Sequence, residues 1–368
     1  MKKLGFGLMR LPLKEGFTGA HLASPDIDLE LLKEIIDIFL TEGFSYFDTA
    51  FPYHQGCSET ALRELAVRRR PRESFTVTDK LPCWEIASPD DFSPIFKLQL
   101  ERCGVDYFDY YFLHSLDAVS CARMEKLGGF EFLQSLKREG KIKHIGFSFH
   151  DGAEVLDAIL SRHPEVEYVQ LQINYLDWEN PLVQSRRCYE VCCRHGRPVI
   201  VMEPVKGGSL ASLPAEAAGI LRELNPELTP AGWALRFAAS LPNVFMVLSG
   251  MNTLAQIKEN VKTFDSLEPL SAKELEALKR AAAVVSRHIV IPCTSCHYCT
   301  DGCPAHICIP EYFALCNSIY NLSAYQELLE RGFGMASECI GCGQCEARCP
   351  QHIPIIEHLK KVVDIFES

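Results

Sequence analysis

Eight cysteines near the end of the 368-residue chain carry the plainest chemistry. Cys293, Cys296, Cys299 and Cys303 are separated by two, two and three residues and followed by Pro304; Cys339, Cys342, Cys345 and Cys349 repeat the pattern before Pro350. Three thiolates at two-residue gaps let one turn wrap a face of an iron–sulfur cubane, with backbone N–H groups aimed at its sulfides. The fourth cysteine, one helical turn on, points elsewhere, and in two-cluster proteins it ligates the other cluster. The spacing therefore predicts two [4Fe–4S] clusters. One falls to Cys293, Cys296, Cys299 and Cys349, the other to Cys339, Cys342, Cys345 and Cys303. A structural zinc also uses C-x2-C pairs, but it wants four ligands per ion and no third cysteine at this spacing. Cys308 and Cys316 fall outside the pattern and read as packing residues, as do Cys188, Cys192 and Cys193 on one helical stretch and Cys57 in a loop.

A second constellation lies far earlier. Asp48 closes an apolar run, Tyr53 follows in the next loop, and Lys80 and His114 end the next two apolar runs. Reduction of a carbonyl needs a hydride on carbon and a proton on oxygen. A tyrosine hydroxyl, with a free pKa near ~10, is a poor acid until a neighbouring ammonium lowers it. Lys80 could do that, Asp48 could hold Lys80 in place, and His114 could orient the carbonyl oxygen. Further on, Gln170, Gln172 and Asn174 share one face of a strand by its period of two.

These residues need elements to position them. Eight short apolar runs, at 4–10, 45–49, 75–80, 108–114, 144–148, 168–173, 198–203 and 244–248, alternate with helical stretches. The first helix contains 31–39, with Asp28 as its expected cap, and the last spans 271–287. Eight such units predict an α/β fold, a (β/α)8 TIM barrel over residues 1–286. A doubly wound sheet fits less well, since Gly5-Phe6-Gly7-Leu8-Met9-Arg10 lacks a third glycine before Pro12. Tyr53 and the ends of the apolar runs then stand on the barrel rim where such enzymes do chemistry. The loops Pro204–Leu210, with Gly207 and Gly208, and Ser249–Asn252, with Gly250, suit a pyrophosphate at the barrel phosphate site. Residues 287–368 form a second, partly helical domain with a helical spacer at 310–331.

Two resemblances follow from these motifs. Asp48, Tyr53, Lys80 and His114, with the segment Phe47-Asp48-Thr49-Ala50-Phe51-Pro52-Tyr53-x5-Glu59, resemble the tetrad and signature of the aldo/keto reductases over about residues 4–285. That resemblance implies Tyr53 as general acid and a nicotinamide cofactor, NADP(H) or NAD(H). It also implies Gln170 at the carboxamide, Ser148 beside it, and Gln256 and Asn260 at the adenine end. Met202 replaces a nicotinamide-stacking tyrosine found in many members, Ser148-Phe149 replaces a Ser-Asn pair, and 250–253 offers no base for a 2′-phosphate. The cysteine repeat, over about residues 290–355, resembles a bacterial-type eight-iron ferredoxin.

A hydride moves two electrons together and a cluster one at a time, so either a flavin mediates, or the substrate step is radical, or the clusters brace the fold. Two functions stay open: a carbonyl-reducing enzyme with a fused ferredoxin, or an electron-transfer protein whose barrel is a scaffold for an external redox partner. Net charge is −11 with one basic cluster, Arg68-Arg69-Arg70, so no nucleic-acid partner is expected. Arg10, Pro12 and Lys14 break any export signal, and no run reaches a membrane span. The expected setting is the cytoplasm, where clustered thiols stay reduced and bind metal. A small carbonyl or alcohol is the expected substrate.

Overall fold

The computed structural model describes residues 2–14, 26–300, 302–317 and 321–368. Eight strands, β1 (Leu4–Gly7), β2 (Tyr46–Asp48), β3 (Thr76–Leu81), β4 (Phe108–Leu116), β5 (Ile142–Phe149), β6 (Tyr168–Gln172), β7 (Val199–Met202) and β8 (Val244–Ser249), close a parallel barrel in chain order. The ring shuts where Leu4 of β1 pairs with Val247 of β8. The barrel is the fold the eight alternating runs predict. Its strands are rich in apolar residues because they are covered on both faces, and β3 buries Thr78, Asp79 and Lys80 as well. Inside, Tyr46, Tyr110, Phe112, Ile200, Met246 and Leu248 form one buried cluster. Tyr46 satisfies its hydroxyl by accepting from Thr78 Oγ1 at 2.6 Å.

The first helix, Leu29–Thr41, starts where expected: Asp28 Oδ1 accepts from the Leu31 N–H at 3.0 Å. Its stripe Leu32, Ile35, Ile36 and Phe39 is buried at the 3.6-residue period. Arg69 and Arg70 of the basic cluster reach Asp37 on this helix at 2.8 and 3.3 Å, and Arg68 pairs with Glu64.

The chain packs as two compact units, Met1–Pro204 with Gly232–Ser271, and Val205–Ala231 with Ala272–Ser368. The first holds all eight strands. Packing thus draws its line at other residues than composition does at 286/287: the segment after β7 and the helix Ala272–His288 go with the cysteine-rich tail. Helix Ala215–Arg222 lies against Ala272–His288, and each buries its apolar residues, Ala217 and Leu221 on one, Ala277, Leu278, Ala281, Val284 and Val285 on the other.

The core of the second unit is aromatic and aliphatic. Tyr312 and Tyr325 stand 4.6 Å apart, Tyr325 stacks on Phe366 at 5.1 Å, and Ile355, Leu359 and Val362 of the helix Ile355–Phe366 complete it. The expected spacer is two helices, Ile309–Asn317 and Leu322–Glu330, on either side of 318–320, which lie outside the described residues. Cys308 and Cys316 are buried, as are Cys188 and Cys192, whereas Cys193 is exposed. Among the described residues, no helix is long and apolar enough to cross a membrane.

Candidate active site and cysteine cage

β2 and β3 bring Asp48 and Lys80 side by side. Lys80 Nζ donates to Asp48 Oδ1 at 2.6 Å and to the Thr49 carbonyl at 2.7 Å, with the two side chains 1% and 3% exposed. Burial pushes the Asp48 carboxyl up from its ordinary range, and the ammonium pulls it partly back. Tyr53 lies in a short turn with its ring centroid 5.2 Å from Lys80 Nζ. The turn is tight: His54 and Gln55 both hold φ near +50, a conformation that costs about 1 kcal/mol or more in a residue with a side chain. Burial drives His54 down to about 4, so the imidazole is neutral and its Nε2 accepts the Leu11 N–H at 3.2 Å.

His114 sits where β4 loses register against β5, between Leu113 and Leu116. The next residue, Ser115, takes φ +59 and donates its N–H to Ser148 Oγ at 2.7 Å. Such a bulge re-aims a strand-end side chain. His114 meets the Tyr53 ring edge-on at 5.9 Å, and burial, followed by Lys80 and His150, holds its pKa far below the ordinary value. It is therefore a neutral imidazole at pH 7. The structure thus gathers all four residues that the strand ends suggest. It adds one the sequence reading missed, Trp84, in the turn Cys83–Glu85 just after β3, whose ring stands 5.0 Å from His114 while remaining 39% exposed. A tryptophan four residues beyond a rim lysine was the available signal.

Beneath the rim, Glu59, Asp79 and Cys103 place ligand atoms within 4.8 Å of one another, all buried. Arg102 donates to Glu59 Oε2 at 3.1 Å, and Asp79 Oδ1 accepts the Lys80 N–H at 2.8 Å. Burial raises both carboxyls; the Asp79 charge pushes Glu59 up further, while a hydrogen bond from Glu59 pulls Asp79 partly back, so this cluster retains a proton near neutral pH.

The cofactor candidates divide. Gln170 is buried, and its amide oxygen has no hydrogen-bond partner among the described residues. Asn260 Nδ2 donates to Ser249 Oγ at 3.0 Å, and Gln256 Oε1 accepts the Asn252 N–H at 2.8 Å. These pairs gather with Gly250 around the start of the helix Leu254–Asp265, which Thr253 caps. Asn174 has a different task. Its amide donates to Asp177 Oδ2 and the Glu203 carbonyl and accepts from Leu176 and Asp177 N–H groups, which fills its four positions and braces the loop after β6. Gln172 joins it on Asp177. Pro204 ends the first unit; Gly207, Gly208 and Leu210 lie in the second, where the Gly208 and Leu210 N–H groups both bond the Val205 carbonyl and Leu210 is buried.

In the second unit, Cys303 of the first cysteine copy meets Cys339, Cys342 and Cys345 of the second around a small cavity, with Ile307 and Leu359 among its apolar lining. Burial foremost, then the thiols of Cys296, Cys293 and Cys349, and after them Cys345 of the other set, push the Cys299 thiol up, so the first three lie in its neighbourhood with Cys345 close by. Among the described residues no three of these sulfurs fall within 4.8 Å of one another. The ligands of one tetrahedral zinc, about 2.3 Å from the ion, would sit about 3.8 Å apart. The two copies also share a backbone. Ser295 and Gly341, His297 and Gly343, and His306 and His352 occupy matching positions, and all six have positive φ. Left-handed residues turn successive N–H groups to one side, as an anionic cluster requires. One is already engaged: Ser295 donates to Cys293 Sγ at 3.4 Å.

A closed parallel barrel thus brings Asp48, Tyr53, Lys80 and His114 together at and just beyond the ends of β2, β3 and β4. Residues 3–283 match the aldo/keto reductase family, and the chain belongs to it. It is an oxidoreductase of that family, and residues 292–353 match a 4Fe-4S dicluster domain. Among relatives, an aldo-keto reductase of Mycolicibacterium vanbaalenii is 30% identical over 243 residues, covering 65% of this chain and 79% of that one. An NADH-specific methylglyoxal reductase of Escherichia coli is 24% identical, covering 76% of this chain and all of that one. Among solved structures, the holo form of an aldo-keto reductase from Bacillus halodurans aligns at TM-score 0.60 and 24% identity, over 76% of this chain and 91% of that chain. A Klebsiella pneumoniae aldo-keto reductase in complex with NADPH aligns at 0.60 and 20% over 76% and 90%.

Proposed function

We propose that the barrel interconverts a small carbonyl compound and its alcohol, and that the eight cysteines hold two [4Fe–4S] clusters for one-electron transfer. The observation that carries the first part is Lys80, buried between Asp48 and the Thr49 carbonyl with its ammonium beneath the Tyr53 ring. Tyr53 gives its hydroxyl proton to the carbonyl oxygen, and the Lys80 charge stabilises the phenolate left behind. Neutral His114 donates its ring N–H to the same oxygen and so fixes its direction. Trp84 offers the carbonyl's substituents an apolar wall. A nicotinamide, when bound, supplies the hydride; Gln170, with its unpartnered amide oxygen, suits the carboxamide, and Ser249, Gly250, Asn252, Gln256 and Asn260 suit the nucleotide end. The relatives' names point to NADH in one case and NADPH in another.

The cage around Cys303, Cys339, Cys342 and Cys345 supports one cluster, and the Cys293, Cys296, Cys299 and Cys349 neighbourhood the other. Cys342 is exposed and Ile340, two residues before it, is 72% exposed, which favours a second role, exchange of electrons with an external partner. An anaerobic titration with NADPH, then NADH, followed by visible absorption, tests both parts. Bleaching makes barrel and clusters one electron path and a bound flavin the next group to seek. An unchanged spectrum with carbonyl turnover leaves the barrel working alone. Loss of turnover in Tyr53→Phe, by about 10²–10⁴ in kcat, is expected in either case; full turnover in that variant overturns the proposal.

A further inference from the structure

The segment Val205–Gly208, where the chain passes into the second unit, holds a lysine that no part of the proposed reaction uses. Lys206 is 2% exposed, and its Nζ lies 3.4 Å from Gln351 Oε1. Gln351 stands two residues beyond Cys349, and the Cys349 thiol accepts backbone N–H groups from Ile353, Gln351 and His352. The next residue of the segment, Gly207, presses on the other arm of the same cysteine set: a Cβ there would lie 2.3 Å from the carbonyl oxygen of Thr294, between Cys293 and Cys296. Both contacts fall within the second unit. Lys206 itself is held at φ +49, a conformation tolerated in a non-glycine residue only where the surroundings impose it.

Resting on the reading of these cysteines as cluster ligands, we propose that Lys206 is a positioning residue for the electrochemistry of the cluster on Cys293, Cys296, Cys299 and Cys349, its buried ammonium raising that cluster's reduction potential. The half-reaction adds one electron and no proton, taking a four-thiolate cubane from dianion to trianion. A nearby cation stabilises the more negative form, and more strongly when buried than when solvated. Charged neighbours compete with it: Glu346 acts on the Cys349 thiol and opposes Lys206 when ionised. Glu311 lies close enough to Cys293 to act on its thiol, and opposes Lys206 whenever ionised. Arg348 approaches Gly302, beside Cys303, but is exposed, so water screens it. The cavity of the other cysteine set has no basic side chain in its lining. Lys206 therefore distinguishes the two clusters.

The test is a potentiometric titration of the full-length holoprotein, followed by electron paramagnetic resonance at one fixed pH, for wild type, Lys206→Met and Lys206→Arg. In the Met variant one of two one-electron waves moves down by at least a tenfold change in the reduced-to-oxidised ratio, which is 59 mV for a one-electron couple. The other wave moves by less than half as much, and Arg restores the first. Where the waves coincide in wild type, the Met variant splits them. Two unmoved waves, two waves moved equally, or equal shifts in Met and Arg overturn the role of Lys206 while leaving the clusters in place. Wild-type protein with no iron–sulfur signal after anaerobic reconstitution overturns the cluster reading itself, and this proposal with it.

Discussion

Replacing Lys80 with Met removes the cation from a site that water cannot reach. Asp48, 3% exposed, would lose its 2.6 Å partner, and the Thr49 carbonyl its 2.7 Å donor. Breaking a buried pair from one side costs about 3–5 kcal/mol. Asp48 can escape by taking a proton, since burial already lifts its pKa. Its unfolded value is about 3.9, so the folded variant binds a proton that the unfolded chain does not, and stability falls as pH rises. Each pH unit in that window adds up to about 1.4 kcal/mol, so the cost should grow by up to about 2.7 kcal/mol between pH 5 and pH 7. Urea unfolding read by tryptophan fluorescence reports the barrel unit alone, because Trp84, Trp178 and Trp233 all belong to it. Asp48→Asn with Lys80→Met should recover most of the stability and none of the activity. A loss below about 1 kcal/mol, or one that does not vary with pH, would refute the ion-pair account even if turnover vanished.

Cys303→Ala should cost roughly half the iron of the reconstituted protein, leaving the set that contains Cys349 complete; unchanged iron content would refute the crossed assignment. Gly207→Ala combines φ +63 with a 2.3 Å clash on Thr294, so the second unit should lose about 1–3 kcal/mol or more in chemical denaturation, and a neutral effect would mean the segment is free to move away. For Glu59 and Asp79, raised folded pKa values mean that folding takes up protons, so wild-type stability should fall as pH climbs from the ordinary carboxylate range through about 7 and towards about 10. Glu59→Gln should flatten that decline in thermal melts at pH 6 and pH 9; an identical slope would remove the acid pair as its cause.

The barrel was legible because eight short runs rich in apolar residues alternate with helical stretches, the first of which buries a stripe at the 3.6-residue period in Leu32, Ile35, Ile36 and Phe39. The grouping of Asp48, Tyr53, Lys80 and His114 was legible because polar residues at or just beyond the ends of such runs are conspicuous. What the sequence could not display is how side chains spend their bonds. The period of two puts Asn174 on a strand face with Gln170, yet β6 ends at Gln172 and Asp177, three residues on from Asn174, occupies its amide. The bulge that re-aims His114 depends on Ser148 from another strand. In the second cysteine copy Gly341 and Gly343 advertise their left-handed backbone, whereas Ser295 and His297 adopt it in the first without any such sign. Nor does composition reveal that residues 205–231 pack with the tail, since nothing in Lys206-Gly207 names Thr294 or Gln351 as neighbours.

The exchange of fourth cysteines between copies gives the proposed clusters a mechanical meaning. Cys293 and Cys349 are 56 positions apart and Cys303 and Cys345 are 42 apart, with both helices of the spacer inside each span. Each cluster would therefore act as a cross-link across a long loop, removing freedom from the unfolded tail that, by the chain-entropy account, is worth about 4 kcal/mol. On that account iron is part of the tail's architecture as well as its wiring, and stripping it with a chelator should loosen Tyr312, Tyr325 and Phe366 together.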